Sequence, residues 1–441
     1  MLLLSHSIIQ LMKKTVYSLS VGFGIILLTS AFFEKPFNDD PKTSKIKPDD
    51  NNGGIKLASG FGATVVSEAT GKARHIKVLP NGTIYIKNSN AKDDKGITVL
   101  KDTNGDGKAD ETEYFGNYGG TGIDIHNGYL YASSNSEVFR YKLDVNGNVI
   151  DKKNPETVIT GLPDLKQHES KPFTFDESGN IYVTIGAPSN VCQEKDRQKG
   201  SPGMNPCPLL EKNGGIWQFK ADKLNQKQEN GVRFATGIRN AVALDWDSNT
   251  KTLYALQHGR DMLFQHFPEM FSAEKGAELP SEEFLSVKKG DDFGWPYSYY
   301  DLDKKQMMLC PEYGGDGKKT YTKAKKPIMG FPGHWAPNDV LFYHSNQFPA
   351  KYKNGAFICF HGSWNRAPLN QAGYFVAFVP FKNGVPSGPY EVFAEDFAGG
   401  PEIKSPGDAK SRPMGLAEGP DGSLYITDSV KGKVWRVMYN K

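Results

Sequence analysis

The sequence predicts an all-β protein built as one closed ring, a six-bladed β-propeller, and three observations carry that prediction. A polar turn, most often Asn-Gly, Asp-Gly or Ser-Gly, precedes a short strand centred on an aromatic residue, and this phrase occurs six times: LPNGTIYIKNSN around Tyr85, HNGYLYASS around Tyr131, ESGNIYVTIGA around Tyr182, SNTKTLYALQHG around Tyr254, KNGAFICFHG around Phe357 and PDGSLYITDS around Tyr425. The residues after each turn alternate apolar and polar and favour Tyr, Ile, Val and Leu, the period-two signal of half-buried strands. The central aromatics are roughly 46 to 103 residues apart, longer than a minimal four-stranded blade, so several blades carry long insertions, and function is expected there.

Before the first repeat, Lys13 and Lys14 precede an apolar run from Val16 to about Phe33. Residues 1–33 therefore read as an export signal peptide. The run has no clear A-x-A cleavage site and is nearly long enough to span a bilayer, so an uncleaved signal anchor stays open as the alternative. No cysteine follows it to accept a lipoprotein lipid. Residues 34–54, charged and rich in Pro and Asn, read as a disordered tether, and 55–441 as the propeller. This predicts a periplasmic or secreted protein with a possible membrane tether. Within the repeats, Gly supplies the positive φ that a two-residue hairpin requires. Lys and Arg number 53 against 50 Asp and Glu, a formal net charge of +3, which demands neither nucleic acid nor an anionic surface as partner.

Export gives meaning to the four cysteines. Cys192 and Cys207 bracket QEKDRQKGSPGMNP, a loop with almost no apolar residue to hold it, and a bridge there is expected; the pairing of Cys310 and Cys359 stays open. Asp102, Asn104, Asp106, Gly107, Asp110 and Glu113 fit the pattern of a twelve-residue calcium loop, with oxygens at alternating positions and Gly at the sharp turn. Its flanks, ITVLK and TEYF, are strand-like, so the reading is a Ca2+ loop at a hairpin tip, against the alternative of a solvated acidic turn.

Polar and cationic residues gather beside the repeat strands: His168 in LKQHESKPFTF, Arg239 and Asn240 in ATGIRNAVALDWD, His258 to Asp261 in LQHGRDML, His361 to Arg366 in FHGSWNRAP, and Arg412 in KSRPMGLAEGPDG. Brought to one face of a ring, they suit a planar polyanion, because Arg forks onto carboxylates and Trp stacks on flat rings.

GIRNAVALDWD, GDDFGWPYSYYD and SRPMGLAEGPDGSLYITD together resemble, in order, three phrases of the soluble glucose and sorbosone dehydrogenases, propellers that use pyrroloquinoline quinone; HGSWNRAP is similar to the sorbosone-type and fungal pyranose-dehydrogenase branch. The resemblance runs from about residue 55 to the C-terminus. It implies a sugar or related alcohol or aldehyde as substrate, His168 as general base, Arg239 beside the reactive carbonyl of the quinone, Asn240 and Arg412 as cofactor ligands, and the backbone carbonyls of Gly259 and Arg260 on a cofactor-bound Ca2+. It implies a separate electron acceptor, a cytochrome or a quinone. A second arginine of the glucose enzymes falls here on Met414, and a lysine of theirs on the SWNR phrase, so Trp364, Asn365 or Arg366 is expected to take that role; Arg74 is a further pocket candidate. Against this stands a non-catalytic, calcium-stabilised propeller serving as a carbohydrate-binding or protein-interaction module, because fold alone does not carry function. A hydrolytic propeller would need a carboxylate-ringed metal, and these phrases supply mainly Arg, His, Asn and Trp.

Overall fold

The computed structural model describes residues 46–440. The segment read as an export signal or anchor, 1–33, lies outside the described residues, and among the described residues no helix is long and apolar enough to cross a membrane.

Six four-stranded antiparallel blades form the molecule. The first four comprise Ala73–Val78, Ile84–Asn88, Ile97–Lys101 and Glu111–Phe115; then Ile123–His126, Tyr129–Ser133, Val138–Lys142 and Glu156–Ile159; then Phe173–Phe175, Asn180–Ile185, Gly215–Lys220 and Val232–Thr236; then Ala241–Asp247, Thr252–Gln257, Glu282–Val287 and Met329–Phe331. Blade five has Pro337–Phe342, Ala356–Phe360, Phe375–Val379 and Glu391–Glu395, and blade six has Pro413–Glu418, Leu424–Asp428 and Val434–Tyr439, completed by Phe61–Ser67 from the other end of the chain. The first strands of successive blades pack against one another in a closed circuit, so they line the axis of the ring.

All six repeat phrases are the second strands, and the aromatics at their centres are buried between blades. The turn explains why. Its positive-φ glycine, such as Gly82 at φ +86°, reverses the chain between first and second strands, and alternation then turns the central aromatic inward. Three of the tyrosines reach across the seam: Tyr85 donates to Gly147 O (2.8 Å), Tyr131 to Ala221 O (3.0 Å) and Tyr254 to Gly384 O (2.7 Å), each carbonyl belonging to the following blade. A buried phenol must find an acceptor, so register between blades is fixed by the same residue that fills the seam.

Residues 46–54, read from sequence as tether, belong to the folded body. Asp49 accepts from Val65 N (2.9 Å) and donates through its own N–H to Ala63 O (2.9 Å), and Asn52 Oδ1 accepts from Ala63 N (3.0 Å). The outward edge of Phe61–Ser67 needs partners for its backbone groups, and this segment supplies them.

Candidate active site

In an antiparallel blade the start of the first strand and the end of the second lie on the same face. That face therefore collects Arg74, His168, Arg239, Asn240 and Arg412 from the starts of first strands, and Gly259, Arg260 and residues 361–366 from the ends of second strands. The long insertions after the second strands of blades three, four and five, at 186–214, 258–281 and 361–374, rise on this side too. Of these, 186–214 carries the Cys192–Cys207 disulfide expected from sequence. Cys310 and Cys359 are free and buried.

His168 sits at φ +53°, a left-handed conformation that a non-glycine residue holds only when its surroundings impose it. Its Nδ1–H donates to Ala187 O at 2.6 Å, which fixes the tautomer and leaves Nε2 with a free lone pair. The N–H of the same Ala187 donates to Arg239 O (2.8 Å), so one residue links the two groups. Burial, reinforced by the Arg239 charge, holds the His168 pKa well below the ordinary histidine range. His258 is a neighbour within electrostatic reach, lowered to about 4 by burial. Both its nitrogens are used, Nε2–H on Pro337 O (3.1 Å) and Nδ1 facing Asn240 Nδ2 (3.3 Å), so it acts as a neutral spacer that orients Asn240.

Arg239 is 3% exposed and anchored on every side. It donates to Asp261 Oδ2 (2.8 Å), Asn190 Oδ1 (3.1 Å), Asn190 O (3.1 Å) and Gly259 O (2.9 Å). Burial would raise the Asp261 pKa, yet the positive charges of Arg239 and Arg197 outweigh it and keep the carboxylate ionised. Arg239 is therefore also the partner of a carboxylate, the Asp of the HGRD phrase.

Arg74 and Arg412 differ. Arg74 donates only to the hydroxyls of Thr121 (3.1 Å) and Ser170 (3.2 Å). Burial and the charge of Arg412 lower its pKa to about 10. Arg412 donates to the carbonyls of His361 (3.1 Å) and Gly362 (2.5 Å) and faces the ring of Tyr374. Among the described residues, neither guanidinium has a carboxylate within ion-pair distance. Two half-buried cations whose nearest carboxylates, Asp339 and Glu169 for Arg74 and Asp428 for Arg412, stand beyond ion-pair distance are open to completion by an anion. The donor set fits a polyanion.

Other expected residues fall elsewhere. Trp364 is 51% exposed at the rim. Asn365 is buried and meets the ring of His334 (3.2 Å to Nε2), and its Oδ1 is unpartnered. Arg366 is spent on structure: it donates to Ala277 O (2.6 Å), Gly333 O (3.1 Å) and Asn370 O (3.2 Å) and pairs with Glu278. Met414, in the place of an arginine, is fully buried against Asn338.

At the two expected calcium positions the oxygens make hydrogen bonds within the protein. In the Asp102 loop, Asp102 accepts from Gly105 N (2.7 Å) and Gly107 N (2.8 Å), Asn104 from Asp106 N (2.9 Å), Asp106 from Lys108 N (2.8 Å) and Asp110 from Thr103 N (2.8 Å), while Glu113 turns away to Lys152 (2.6 Å). The oxygens meant to converge are committed to the loop's own backbone, the alternative of an acidic turn. At the ring face, Gly259 O accepts from Arg239 (2.9 Å) and the Arg260 side chain pairs with the buried Glu312, while the two backbone carbonyls remain the expected ligands. Among the described residues no group of three or more His, Cys, Asp or Glu is placed to hold a metal ion.

Sequence reasoning missed Asp261 as a ligand of Arg239, Ser170 and Thr121 around Arg74, and Arg197, whose guanidinium reaches Asp261 Oδ2 at 2.9 Å. The signal for Asp261 was present in HGRD; the others are polar residues in loops, and only the fold brings them in.

A family model described as TrAA12-like matches residues 55–440. An uncharacterised protein of Borreliella burgdorferi is 27% identical over 331 residues, 73% of this chain and 76% of that protein. The pyrroloquinoline quinone-dependent pyranose dehydrogenase of Coprinopsis cinerea is 22% identical over 71% of this chain, which spans only 45% of that enzyme's length. Among solved structures, the calcium structure of the Trichoderma reesei family AA12 carbohydrate-active enzyme superposes with a TM-score of 0.70 at 17% identity, covering 88% of this chain and 97% of that one. The holo pyrroloquinoline quinone domain of the Coprinopsis cinerea pyranose dehydrogenase gives 0.68 at 19% identity, over 87% and 97%. At these identities the superpositions establish the fold. The family model goes further, spanning all six blades, and the chain belongs to the TrAA12-like family.

Proposed function

We propose that this protein is a pyrroloquinoline quinone-dependent oxidoreductase that oxidises a sugar, or a related alcohol or aldehyde, and passes the electrons to a separate cytochrome or quinone acceptor outside the cytoplasm. The observation that carries the reading is the pairing, on one face of the ring, of a base with a free Nε2, His168, and two guanidiniums without counter-charge, Arg74 and Arg412. The relatives named for this cofactor and for sugar substrates support it. A purely structural or protein-interaction propeller has no use for desolvated arginines left unneutralised around an axial face.

Arg74 and Arg412 would hold carboxylates of the cofactor, and Arg239 and Asn240 would face its carbonyl side. When bound, the quinone supplies a two-electron hydride acceptor. The chain's own contribution is then positional. Arg239, held by Asp261 and Asn190, presents fixed positive charge where negative charge develops. His168, pinned through Nδ1, takes the hydroxyl proton of the substrate at Nε2, and being neutral through the ordinary pH range it needs no prior deprotonation. Specificity for glucose, sorbosone or another sugar belongs to the rim loops 186–214 and 361–374. No step is drawn through Ca2+.

The test is reconstitution of purified protein with pyrroloquinoline quinone, with and without added Ca2+, and a dye-reduction assay over aldoses and polyols. A cofactor-dependent absorbance change and turnover on at least one sugar are expected. Absence of both would refute the reading. His168→Gln should lower kcat by about three orders of magnitude while cofactor affinity stays within about threefold.

A further inference from the structure

The insertion closed by the Cys192–Cys207 disulfide is built from polar contacts. Met204 N donates to Cys192 O (2.9 Å) and Glu194 N to Pro202 O (3.0 Å), and the Gln193 amide donates to the carbonyls of Gln198 and Ser201 (3.0 Å each) while its oxygen accepts from Arg197 N (3.1 Å). Held in this way, Arg197 adopts φ +58° and projects its guanidinium inward. Two destinations receive it. Nη1 reaches Asp261 Oδ2 at 2.9 Å, the same oxygen that takes Arg239 at 2.8 Å. Nε and Nη2 donate to Gln167 Oε1 (3.3 and 3.0 Å), and the other end of that amide donates to Asp196 Oδ2 (3.2 Å). Asp196 is itself anchored by Ser189 Oγ (2.7 Å) and Asn190 N (2.8 Å).

Gln167 immediately precedes His168, and both Lys166 (φ +60°) and His168 (φ +53°) are left-handed. Each such residue is strained and persists only where tertiary contacts impose it. The contacts that do so at Gln167 come from the disulfide loop. We infer that this loop is a positioning clamp: Arg197, through Gln167 and Asp261, sets the placement of His168 and Arg239 together, so Arg197, Gln167 and Asp261 are positioning residues of one unit. This rests on the proposed roles of His168 and Arg239. The physical logic is that of outer-shell residues, which touch no substrate but hold the groups that do within the narrow tolerance that reaction geometry allows.

The test uses Arg197→Ala, Arg197→Lys and Gln167→Ala in the full chain. Without cofactor, the rate at which diethyl pyrocarbonate modifies His168 is followed by peptide mass mapping, with His344 as internal reference. A rise of about tenfold at His168 alone is expected in Arg197→Ala and Gln167→Ala, with Arg197→Lys between them and wild type, because lysine keeps the charge on Asp261 but not the fork onto Gln167. With cofactor and sugar, kcat should fall about 10- to 100-fold while KM and cofactor affinity stay within about threefold. Unchanged His168 reactivity in both alanine variants, or an equal rise at His344, overturns the clamp. If wild type itself reduces no dye, the proposed function fails, and His168 reactivity still decides whether Arg197 positions it.

Discussion

The partner of His168 is a peptide carbonyl, and that choice sets its chemistry. Burial and the Arg239 charge both oppose protonation of His168, and they outweigh the support that the hydrogen bond to Ala187 O and the Asp261 charge give the imidazolium. The folded pKa lies below the unfolded one, so the neutral base is lost only as pH falls through that depressed value. The expected result is a kcat/KM profile that stays level as pH drops through 6.5 and declines only well beneath it; an acidic limb centred at or above 6.5 would contradict the geometry. His168, Arg239 and Asn240 were legible because each sits in a short phrase whose neighbours are fixed by the blade start. Arg366 was misread for the same reason in reverse. A guanidinium in a turn can point either way, and here the free carbonyls of Ala277, at the end of the short helix Ala273–Glu278, and of Gly333 drew it outward from the axis.

Two arginines flanking strands on the same face thus have opposite fates, and this gives a paired prediction. Arg412→Ala removes a cation that has no carboxylate partner and should weaken cofactor binding by about tenfold or more, read by titration of the absorbance change, with little loss of stability. Arg366→Ala strands three carbonyls and should cost about 3 kcal/mol in denaturant unfolding while leaving that titration nearly unchanged. A reversal of the two outcomes would exchange their assignments. Second strands announced themselves because a glycine turn and an alternating strand are local signals. First strands did not: segments such as ARHIKV line the axis and carry charge where a buried strand would be apolar. The Asp102 loop shows the limit of a motif. Spacing names oxygens that could converge, and in the structure those of Asp102 accept from the amides of Gly105 and Gly107 in their own turn.

In the whole ring, burial raises Asp339 to about 8 and Asp245 to about 7 on first strands along the axis, and Glu282 to about 8 and Glu283 to about 7 at the start of the third strand of blade four. An acid with a raised folded pKa gives stability that is complete below its unfolded value, near about 4, and is lost as pH climbs through the folded one. His75 and His258, lowered to about 4, give theirs fully above 6.5. Between pH 6.5 and about 8 these carboxyls lower stability as pH rises, while buried Lys87, lowered to about 7, and Lys171, lowered to about 8, act in the opposite sense, so the acids are read by difference: Asp339→Asn should lose less of its calorimetric midpoint across this window than wild type, and an identical pH dependence would remove Asp339 from the account. Blade six joins Phe61–Ser67 to Val434–Tyr439, with Gly62 opposite Met438. A ribosome makes the first of these strands early and its partner last. Until the final turn of synthesis the seam is an open edge with unpaired amides, slow to find its mate across nearly the whole chain and exposed to other chains meanwhile. Under the proposed export that delay would be useful: a ring that does not close before Val434–Tyr439 is made remains threadable while it is handed to an exporter.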